Sequence, residues 1–158
     1  YSTNELVVRM GMELDGKSEY VSVKGMAVYD YELFNALYGN MRMDTRSLCL
    51  IDTCHSGTML DLEYLTMDGG VSFKRSQQPL QARPLSVCIS ACDDHELAGE
   101  DISDFGGWGG KLVCQFLDYM SQAPLNEGID VLEFYIHVYS IFQGQTQQQS
   151  RPILSYNL

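Results

Sequence analysis

Cys54 is the side chain whose surroundings best suit a reactive nucleophile. It follows the apolar run at residues 48–51 and precedes Gly57, so a buried strand should deliver the thiol onto a short loop. A catalytic cysteine must be partly exposed, approach a carbonyl closely and have hydrogen-bond donors nearby for the oxyanion. Gly57 and the backbone N–H groups around it are candidate donors. The segment therefore predicts nucleophilic chemistry at Cys54.

A thiol nucleophile also needs a base, and the chain contains three histidines. Free thiol is mostly protonated at neutral pH, and an amide leaving group must receive a proton. His55 adjoins Cys54, but neighbouring side chains in an extended turn diverge. His95 follows a predicted strand, where it could lie near the thiol or be a solvated loop residue. His137 is most simply a boundary residue of a predicted helix.

The apolar spacing predicts three helices, over residues 30–38, 110–120 and from Asp130 to about residue 142. Asp30 is a candidate cap of the first, and Asp130 with Glu133 forms a capping-box pattern at the third. Strand-like runs occupy residues 20–23, 48–52, 86–90 and 153–156. Alternating strands and helices predict an α/β layered fold with a mostly parallel sheet, whose active site gathers at the carboxyl ends of the strands.

Two polar stretches lack any period. Residues 64–84 are expected to form a long exposed loop, and residues 143–150 a solvated linker. Within the first, Lys74 and Arg75 form a basic pair that is either a processing site or an ordinary solvated pair.

The composition narrows the class of protein. A chain of 158 residues, 45% hydrophobic, favours one domain spanning residues 1–158. No apolar stretch approaches the ~20 residues of a membrane span, so a soluble protein is expected. The net charge of −11 argues against nucleic acid or an anionic membrane as partner and favours basic peptides or divalent cations.

The chain has five cysteines, an odd number without metal-site spacing, which indicates a reducing, intracellular compartment. Cys88 and Cys92, if both lay on one strand, would be about 13 Å apart and could not pair with each other. The simplest interpretation of both is a small buried hydrophobe.

Residues 52–62, Asp-Thr-Cys-His-Ser-Gly-Thr-Met-Leu-Asp-Leu, closely resemble the nucleophile signature of metacaspases, a branch of the caspase-like cysteine peptidases. The resemblance continues, in order, at residues 1–5, 13–16, 28–34, 89–98, 109–110, 131–134 and 148–155. It implies a caspase-like three-layer α/β/α sandwich with helices on both faces of a mostly parallel sheet, and it places residues 64–84 between the p20-like and p10-like parts. No organic cofactor is implied.

The chain departs from the metacaspase pattern in two ways. By the resemblance, Tyr1 lies at the end of the family's third strand, so the opening strands are absent and another chain or a missing segment should complete the sheet. The expected catalytic histidine is replaced by Asn4, flanked by Thr3 and Glu5 instead of glycines. Asparagine forms hydrogen bonds but cannot shuttle protons.

The resemblance also assigns binding residues. Asp52 and Ser2 match a pocket for Arg or Lys, and Asp94 borders the same cleft. The alternative for Asp52 is hydrogen bonding to backbone in the loop.

Metacaspases are often activated by calcium, and Asp15, Asp30 and Asp61 match the expected ligands. Tyr31 stands where a further Asp is expected, which weakens the predicted affinity. A helix-capping role for Asp30 is an equal alternative.

These observations leave two hypotheses. The first is a degenerate metacaspase-like domain that retains the Cys54 nucleophile and the acidic pocket and acts as a binding or scaffold subunit. The second is an active, calcium-stimulated cysteine endopeptidase directed at Arg or Lys, using His95 or a histidine from another chain as its base.

Overall fold

The computed structural model describes residues 2–5, 18–60, 62–75, 84–102, 107–122, 128–144 and 150–157, with backbone alone for residues 2–5, 18, 19 and 75. Within these ranges the chain forms three helices, α1 (Asp30–Tyr38), α2 (Lys111–Gln122) and α3 (Val131–Gln143). The strands in the same ranges are β1 (Ser2–Glu5), β2 (Ser18–Val23), β3 (Met26–Tyr29), β4 (Arg46–Ile51), β5 (Tyr64–Thr66), β6 (Lys74–Arg75), β7 (Leu85–Ser90), β8 (Glu100–Ile102), β9 (Trp108–Gly110) and β10 (Ile153–Asn157). The α/β class expected from the sequence is confirmed.

The central sheet has five described strands in the order β4-β7-β10-β5-β6. Only β4 and β7 are parallel among them, and the other three pairs are antiparallel. The described sheet is therefore mixed, and the expectation of a mostly parallel sheet is wrong for this part of the chain. The reason lies in the connections. A parallel pair needs a long crossover, whereas the short segment between β5 and β6 permits only an antiparallel return.

Two smaller antiparallel sheets accompany the central one, β1-β2-β3 and β8-β9. β2 and β3 are joined by Lys24 and Gly25, with φ of 51° and 81°. Positive φ at both residues is the signature of a type I′ hairpin turn, which glycine favours. β3 then runs directly into α1.

The central sheet is covered by helices on both faces. Side chains of successive strand residues alternate between faces, and Cys49, Ile51 and Cys88 pack with Phe34 and Tyr38 of α1. The intervening strand residues pack on the other face against α2 and α3; this second core contains Leu50, Val87, Ile89, Leu154, Leu112, Phe134, Tyr135, Val138 and Phe142. The described elements therefore form three layers.

The predicted helices agree with the structure in position, and one predicted cap differs. Asp130 caps α3, its carboxylate accepting the N–H groups of Leu132 and Glu133. At α1 the N-cap is Tyr29, whose N–H donates to the Glu32 carboxylate at 3.0 Å. Asp30 is the first helical residue and fully buried, and its Oδ1 accepts the Tyr31 N–H. The capping role expected for Asp30 is thus wrong.

The apolar stripe predicted for α2 is only partly buried. Leu112 is buried in the core, whereas Val113, Leu117 and Met120 are 39%, 43% and 39% exposed. These three recur at intervals of four and three residues and so share one helix face. This face, here called the α2 outer stripe, has no cover among the described residues.

The loop predicted for residues 64–84 contains structure. Tyr64–Thr66 forms β5, with Leu65 and Thr66 buried between β10 and β6. The Tyr135 hydroxyl on α3 donates to the Thr66 carbonyl at 3.2 Å, and Tyr64 stacks on Tyr156 of β10. A three-residue strand is too short to show a period, which is why the pattern missed it.

The basic pair of this segment, Lys74 and Arg75, forms the edge strand β6, and the Lys74 side chain is exposed. Residues 76–83, and residues 145–149 of the predicted linker, lie outside the described residues. None of the helices in the described ranges combines the length and apolar character needed to cross a bilayer.

Candidate functional site

Cys54 lies in the turn that follows β4, as predicted. The parallel pairing of β4 with β7 aligns Ile51 with Ser90, so the chain leaves both strands at the same edge of the sheet. A further bond from the Ala91 N–H to the Ile51 carbonyl, at 2.9 Å, continues the pairing beyond the strands. Two loops therefore meet there, residues 52–58 (the cysteine loop) and residues 91–98 (the facing loop).

The Cys54 thiol is half-buried between these loops. Its sulfur accepts a hydrogen bond from the Ala98 N–H at 3.3 Å. This hydrogen bond holds the sulfur against the backbone of the facing loop. The facing loop thus supplies a donor that the sequence analysis did not identify, since a backbone N–H carries no signal in the residue type.

Further hydrogen bonds hold the two loops together. The His55 N–H donates to the Glu96 carbonyl at 3.1 Å. Both oxygens of the Asp94 carboxylate accept bonds from Thr58, one from its N–H at 3.0 Å and one from its hydroxyl at 2.9 Å. Asp94, predicted to border a ligand cleft, is thus committed to fixing the turn after Cys54.

Gly57 is buried in the contact between the loops. A Cβ at this position would lie 2.7 Å from Ile153 Cδ1, 3.1 Å from Asp94 Oδ1 and 3.2 Å from Asp93 Cα. Such distances are below ordinary van der Waals contact, so no larger residue fits without movement. Gly57 was predicted as an oxyanion donor, and the described contacts give it a packing role.

The described structure shows the surroundings of all three histidines. His55 has φ of 55°, and its Nδ1 lies 2.6 Å from the Asp94 carbonyl. Because a carbonyl oxygen only accepts, Nδ1 carries the proton and donates it. His95 is exposed on the facing loop. His137 lies on α3, where its ring packs beside Tyr119 of α2. In the described ranges, no imidazole forms a hydrogen bond with the Cys54 sulfur.

Asp52 reaches from the cysteine loop to the start of α2. Its Oδ2 accepts the Val113 N–H at 2.8 Å, and the Leu112 N–H also lowers the pKa of this carboxyl. The first N–H groups of a helix have no partner within the helix, so the carboxylate satisfies two of them. A side chain on Gly110 would overlap this carboxylate, so glycine is required there.

The second carboxylate oxygen of Asp52 has a different environment. Asp52 Oδ1 is buried and has no hydrogen-bond partner among the described residues. Burial raises the pKa of Asp52 above its ordinary value, and this outweighs the lowering by the two N–H donors. The predicted alternative of hydrogen bonding to backbone therefore holds for Oδ2, with the partner in α2 instead of the loop.

Of the other predicted site residues, only Asp30 has its side chain among the described residues. Ser2 and Asn4 lie in β1, which pairs with β2, but their side chains are outside the described residues. Asp15 and Asp61 are also outside the described residues. Asp30 is fully buried at the start of α1.

No metal centre is evident in the described part of the chain. It contains no group of three or more His, Cys, Asp or Glu residues that could hold an ion. Of the three predicted calcium ligands only Asp30 is described, so the predicted calcium site extends beyond the described residues.

Cys92 is buried, as predicted, and it lies next to the cysteine loop. β7 ends at Ser90, so Cys92 belongs to the facing loop and does not share a strand with Cys88. It is fully buried, and its thiol lies 3.5 Å from the Thr53 carbonyl and 3.3 Å from the Glu96 carbonyl. Burial is the main reason that the pKa of Cys92 rises to about 11. In the sequence, the position of Cys92 just after a predicted strand was the signal that it could lie near Cys54.

An ion-pair network attaches the facing loop to the chain before β10. Arg151 Nε donates to Glu96 Oε1 at 2.8 Å, and the backbone N–H of Arg151 donates to Glu96 Oε2 at 2.7 Å. The guanidinium also lies 3.4 Å from Asp93 Oδ2. Glu96 in turn accepts the Asp93 N–H at 3.2 Å. These bonds fix the loop that donates to Cys54.

Comparisons with models of known protein families and with curated protein sequences gave no match.

Proposed function

We propose that this chain is a metacaspase-like domain with a degenerate cysteine-peptidase site that binds basic peptides or proteins, as a binding or scaffold subunit. The observation that carries the proposal is the state of Cys54. Its sulfur has a backbone donor from Ala98, and within the described structure no imidazole bonds to it. The position of the expected base is occupied by Asn4. A thiol without a proton shuttle is a poor catalyst of amide cleavage.

The buried Oδ1 of Asp52 supports a cationic ligand. A buried carboxylate oxygen without a partner is costly, and a guanidinium or ammonium group would satisfy it and favour the charged form. Val113 and Leu112 hold the other oxygen, so the carboxylate is already oriented before a ligand arrives. The net charge of −11 would attract basic ligands over longer distances. We therefore assign an Arg or Lys side chain to Asp52, with Ser2 and Asp94 as further pocket residues.

The caspase-like form of the fold belongs to the same proposal. It is supported by helices on both faces of the sheet and by a nucleophile loop at the end of β4. We further propose that another chain, or a segment of a longer polypeptide, completes the sheet at β4. Among the described strands none pairs with the outer edge of β4, and Leu48 there is 37% exposed. The α2 outer stripe begins beside this edge, because Val113 bonds to Asp52.

Calcium is a minor part of the proposal and rests on the resemblance at Asp15, Asp30 and Asp61. A calorimetric titration with Ca²⁺ tests it, comparing the wild type with Asp61→Asn and with the exposed control Asp44→Asn. Weak binding lost only in Asp61→Asn supports the assignment. Binding that is absent from the wild type, or equal in all three proteins, overturns it.

The alternative function is an active, calcium-stimulated endopeptidase directed at Arg or Lys. One observation favours it: the Ala98 N–H donates to the Cys54 sulfur, the atom that would attack a substrate carbonyl. This donor is useful for catalysis and is not required for peptide binding.

One experiment separates the two functions. A peptide containing Arg and the same peptide with neutral citrulline are titrated into the wild type, Cys54→Ala, Asp52→Asn and the surface control Asp44→Asn, and cleavage is followed with and without millimolar Ca²⁺. The degenerate-site proposal expects binding of the Arg peptide by all proteins except Asp52→Asn, with no turnover. Turnover that disappears in Cys54→Ala establishes the alternative. Equal affinity for Arg and citrulline peptides, or no binding of either, refutes the basic-ligand assignment.

A further inference from the structure

The Cys92 thiol lies directly beneath the turn that carries Cys54. It is within 3.5 Å of the Thr53 carbonyl, the group that precedes Cys54 in the chain. The N–H groups of His55 and Ser56, which follow Cys54, also interact with the Cys92 sulfur. The backbone on both sides of Cys54 therefore surrounds this second sulfur, and a charge on Cys54 acts on it.

The two thiols differ in ways that suit successive steps of one oxidation. Cys54 is half-buried, and its sulfur accepts the Ala98 N–H. Cys92 is 0% exposed, and its thiol is held among backbone groups. An oxidant from solvent therefore reaches Cys54 first, because the oxidation of thiols follows their exposure. Cys92 is protected from the oxidant but adjacent to the product.

The packing of a plain buried hydrophobe does not account for Cys92. A small apolar side chain would gain nothing from the Thr53 and Glu96 carbonyls, which both lie within reach of the single S–H of Cys92. The peptidase chemistry considered above also has no role for a second thiol under the nucleophile. Neither the sequence resemblance nor the pocket at Asp52 uses it.

We propose that Cys54 and Cys92 are a peroxide-sensitive pair that closes to an intramolecular disulfide. In the first step the Cys54 thiolate attacks a hydroperoxide, the O–O bond breaks, and the products are a sulfenic acid on Cys54 and an alcohol or water. In the second step the Cys92 sulfur attacks the sulfenic sulfur, an S–S bond forms and the S–O bond breaks. The hydroxide released takes the Cys92 proton and leaves as water.

The first step also makes the second easier. The thiolate charge on Cys54 opposes ionisation of Cys92, and conversion of Cys54 to a neutral sulfenic acid removes that charge. The His55 and Ser56 N–H groups then remain to stabilise a developing Cys92 thiolate. A dithiol reductant reverses the disulfide, so the pair is a switch that withdraws Cys54 without destroying it.

The test treats the reduced protein with stoichiometric hydrogen peroxide, blocks remaining thiols with an alkylating reagent and maps the peptides by mass spectrometry. The expected result is loss of alkylation at Cys54 and Cys92 alone, with a linked peptide pair that a dithiol reductant separates. In Cys92→Ser the Cys54 sulfenic acid should be trapped by dimedone and proceed to sulfinic acid. Cys49→Ser, which removes a half-buried thiol from the other face of the sheet, should behave as the wild type.

Two outcomes overturn the proposal. One is a wild type that passes to sulfinic acid at Cys54 as readily as Cys92→Ser. The other is a disulfide between any other pair of the five cysteines. The wild-type peptide map does not depend on any variant, so a folding defect in Cys92→Ser leaves the conclusion intact. No step uses peptide binding or cleavage, so failure here is distinct from failure of the proposed function.

Discussion

The Asp52 carboxylate accepts the Val113 N–H at 2.8 Å, although the two residues are 61 positions apart in the chain. This bond joins the loop that carries Cys54 to the first turn of α2. The same carboxylate keeps its other oxygen buried and unpartnered among the described residues. One oxygen of Asp52 therefore fixes the cysteine loop to α2, while the other oxygen has no such role among the described residues.

Asp52→Asn is predicted to make the ligand-free protein more stable at neutral pH. Asparagine can still accept the Val113 N–H and removes the cost of a buried charge. The pKa of Asp52 is raised in the folded state, so the folded protein prefers the protonated form. In the wild type, the stability contributed by protonated Asp52 is fully present below the unfolded-state pKa of about 3.9. This contribution is lost as the pH rises through the pKa of Asp52 in the folded state.

Urea unfolding of wild type and Asp52→Asn from acid to neutral pH checks this. The difference in the free energy of unfolding should vanish at the acid end and grow towards neutrality. If the variant is less stable at neutral pH, the ionised carboxylate stabilises the start of α2 by more than the burial of its charge costs, and the prediction is wrong. Asp44→Asn, at an exposed carboxylate, should show no such trend.

Gly57→Ala is predicted to destabilise the protein by about 1–3 kcal/mol, the usual cost of overpacking. The new Cβ would press on Ile153 and on the backbone of Asp93, and backbone cannot swing aside as a flexible side chain can. Gly128→Ala is the matched control, since a Cβ there meets nothing within 4 Å. Chemical denaturation of the two variants gives the comparison; equal stabilities would contradict the close packing of the loops.

Asn4→His is predicted to raise turnover of an Arg substrate by about 10²–10⁴-fold, the usual contribution of general acid–base catalysis. The expectation follows from the resemblance, which places Asn4 where the base belongs. Steady-state cleavage assays with Asn4→Gln, and with Asn4→His combined with Cys54→Ala, serve as controls. A gain that persists without Cys54 would point to a contaminating peptidase, and no gain at all would reject Asn4 as the base position.

Arg151→Leu is predicted to loosen the facing loop while changing global stability by less than about 1 kcal/mol. Partly exposed ion pairs contribute little to overall stability, but here Arg151 ties Glu96 and Asp93 to the chain before β10. Hydrogen exchange should therefore quicken at the His55 amide, which bonds to Glu96, and at the Ala98 amide, which bonds to Cys54.

The control for this loop is Arg42→Leu. Arg42 and Asp44 form a comparable ion pair, but their side chains are 82% and 67% exposed and join no second element. This variant should leave exchange at His55 and Ala98 unchanged. If Arg151→Leu behaves in the same way, the network does not hold the loop.

The sequence predicted the local elements well. Apolar spacing gave the bounds of α1, and Asp130 marked the start of α3, because caps and helix faces depend on residues within four positions of each other. The apolar run before Cys54 likewise predicted β4 and the exit of the thiol at its end. The sequence pattern did not predict β5, because three residues are too few to show a period and their pairing with β10 decides the structure.

The sequence by itself determined that the chain is α/β, where its helices begin, and that Cys54 leaves a strand on a small loop. Only the tertiary structure decided what surrounds the loop of that cysteine: the Ala98 N–H at its sulfur, the start of α2 at Asp52, and the Cys92 thiol at the Thr53 carbonyl. The physical reason is that the parallel pairing of β4 with β7 brings together loops about 40 residues apart. No local pattern of residue types encodes that distance.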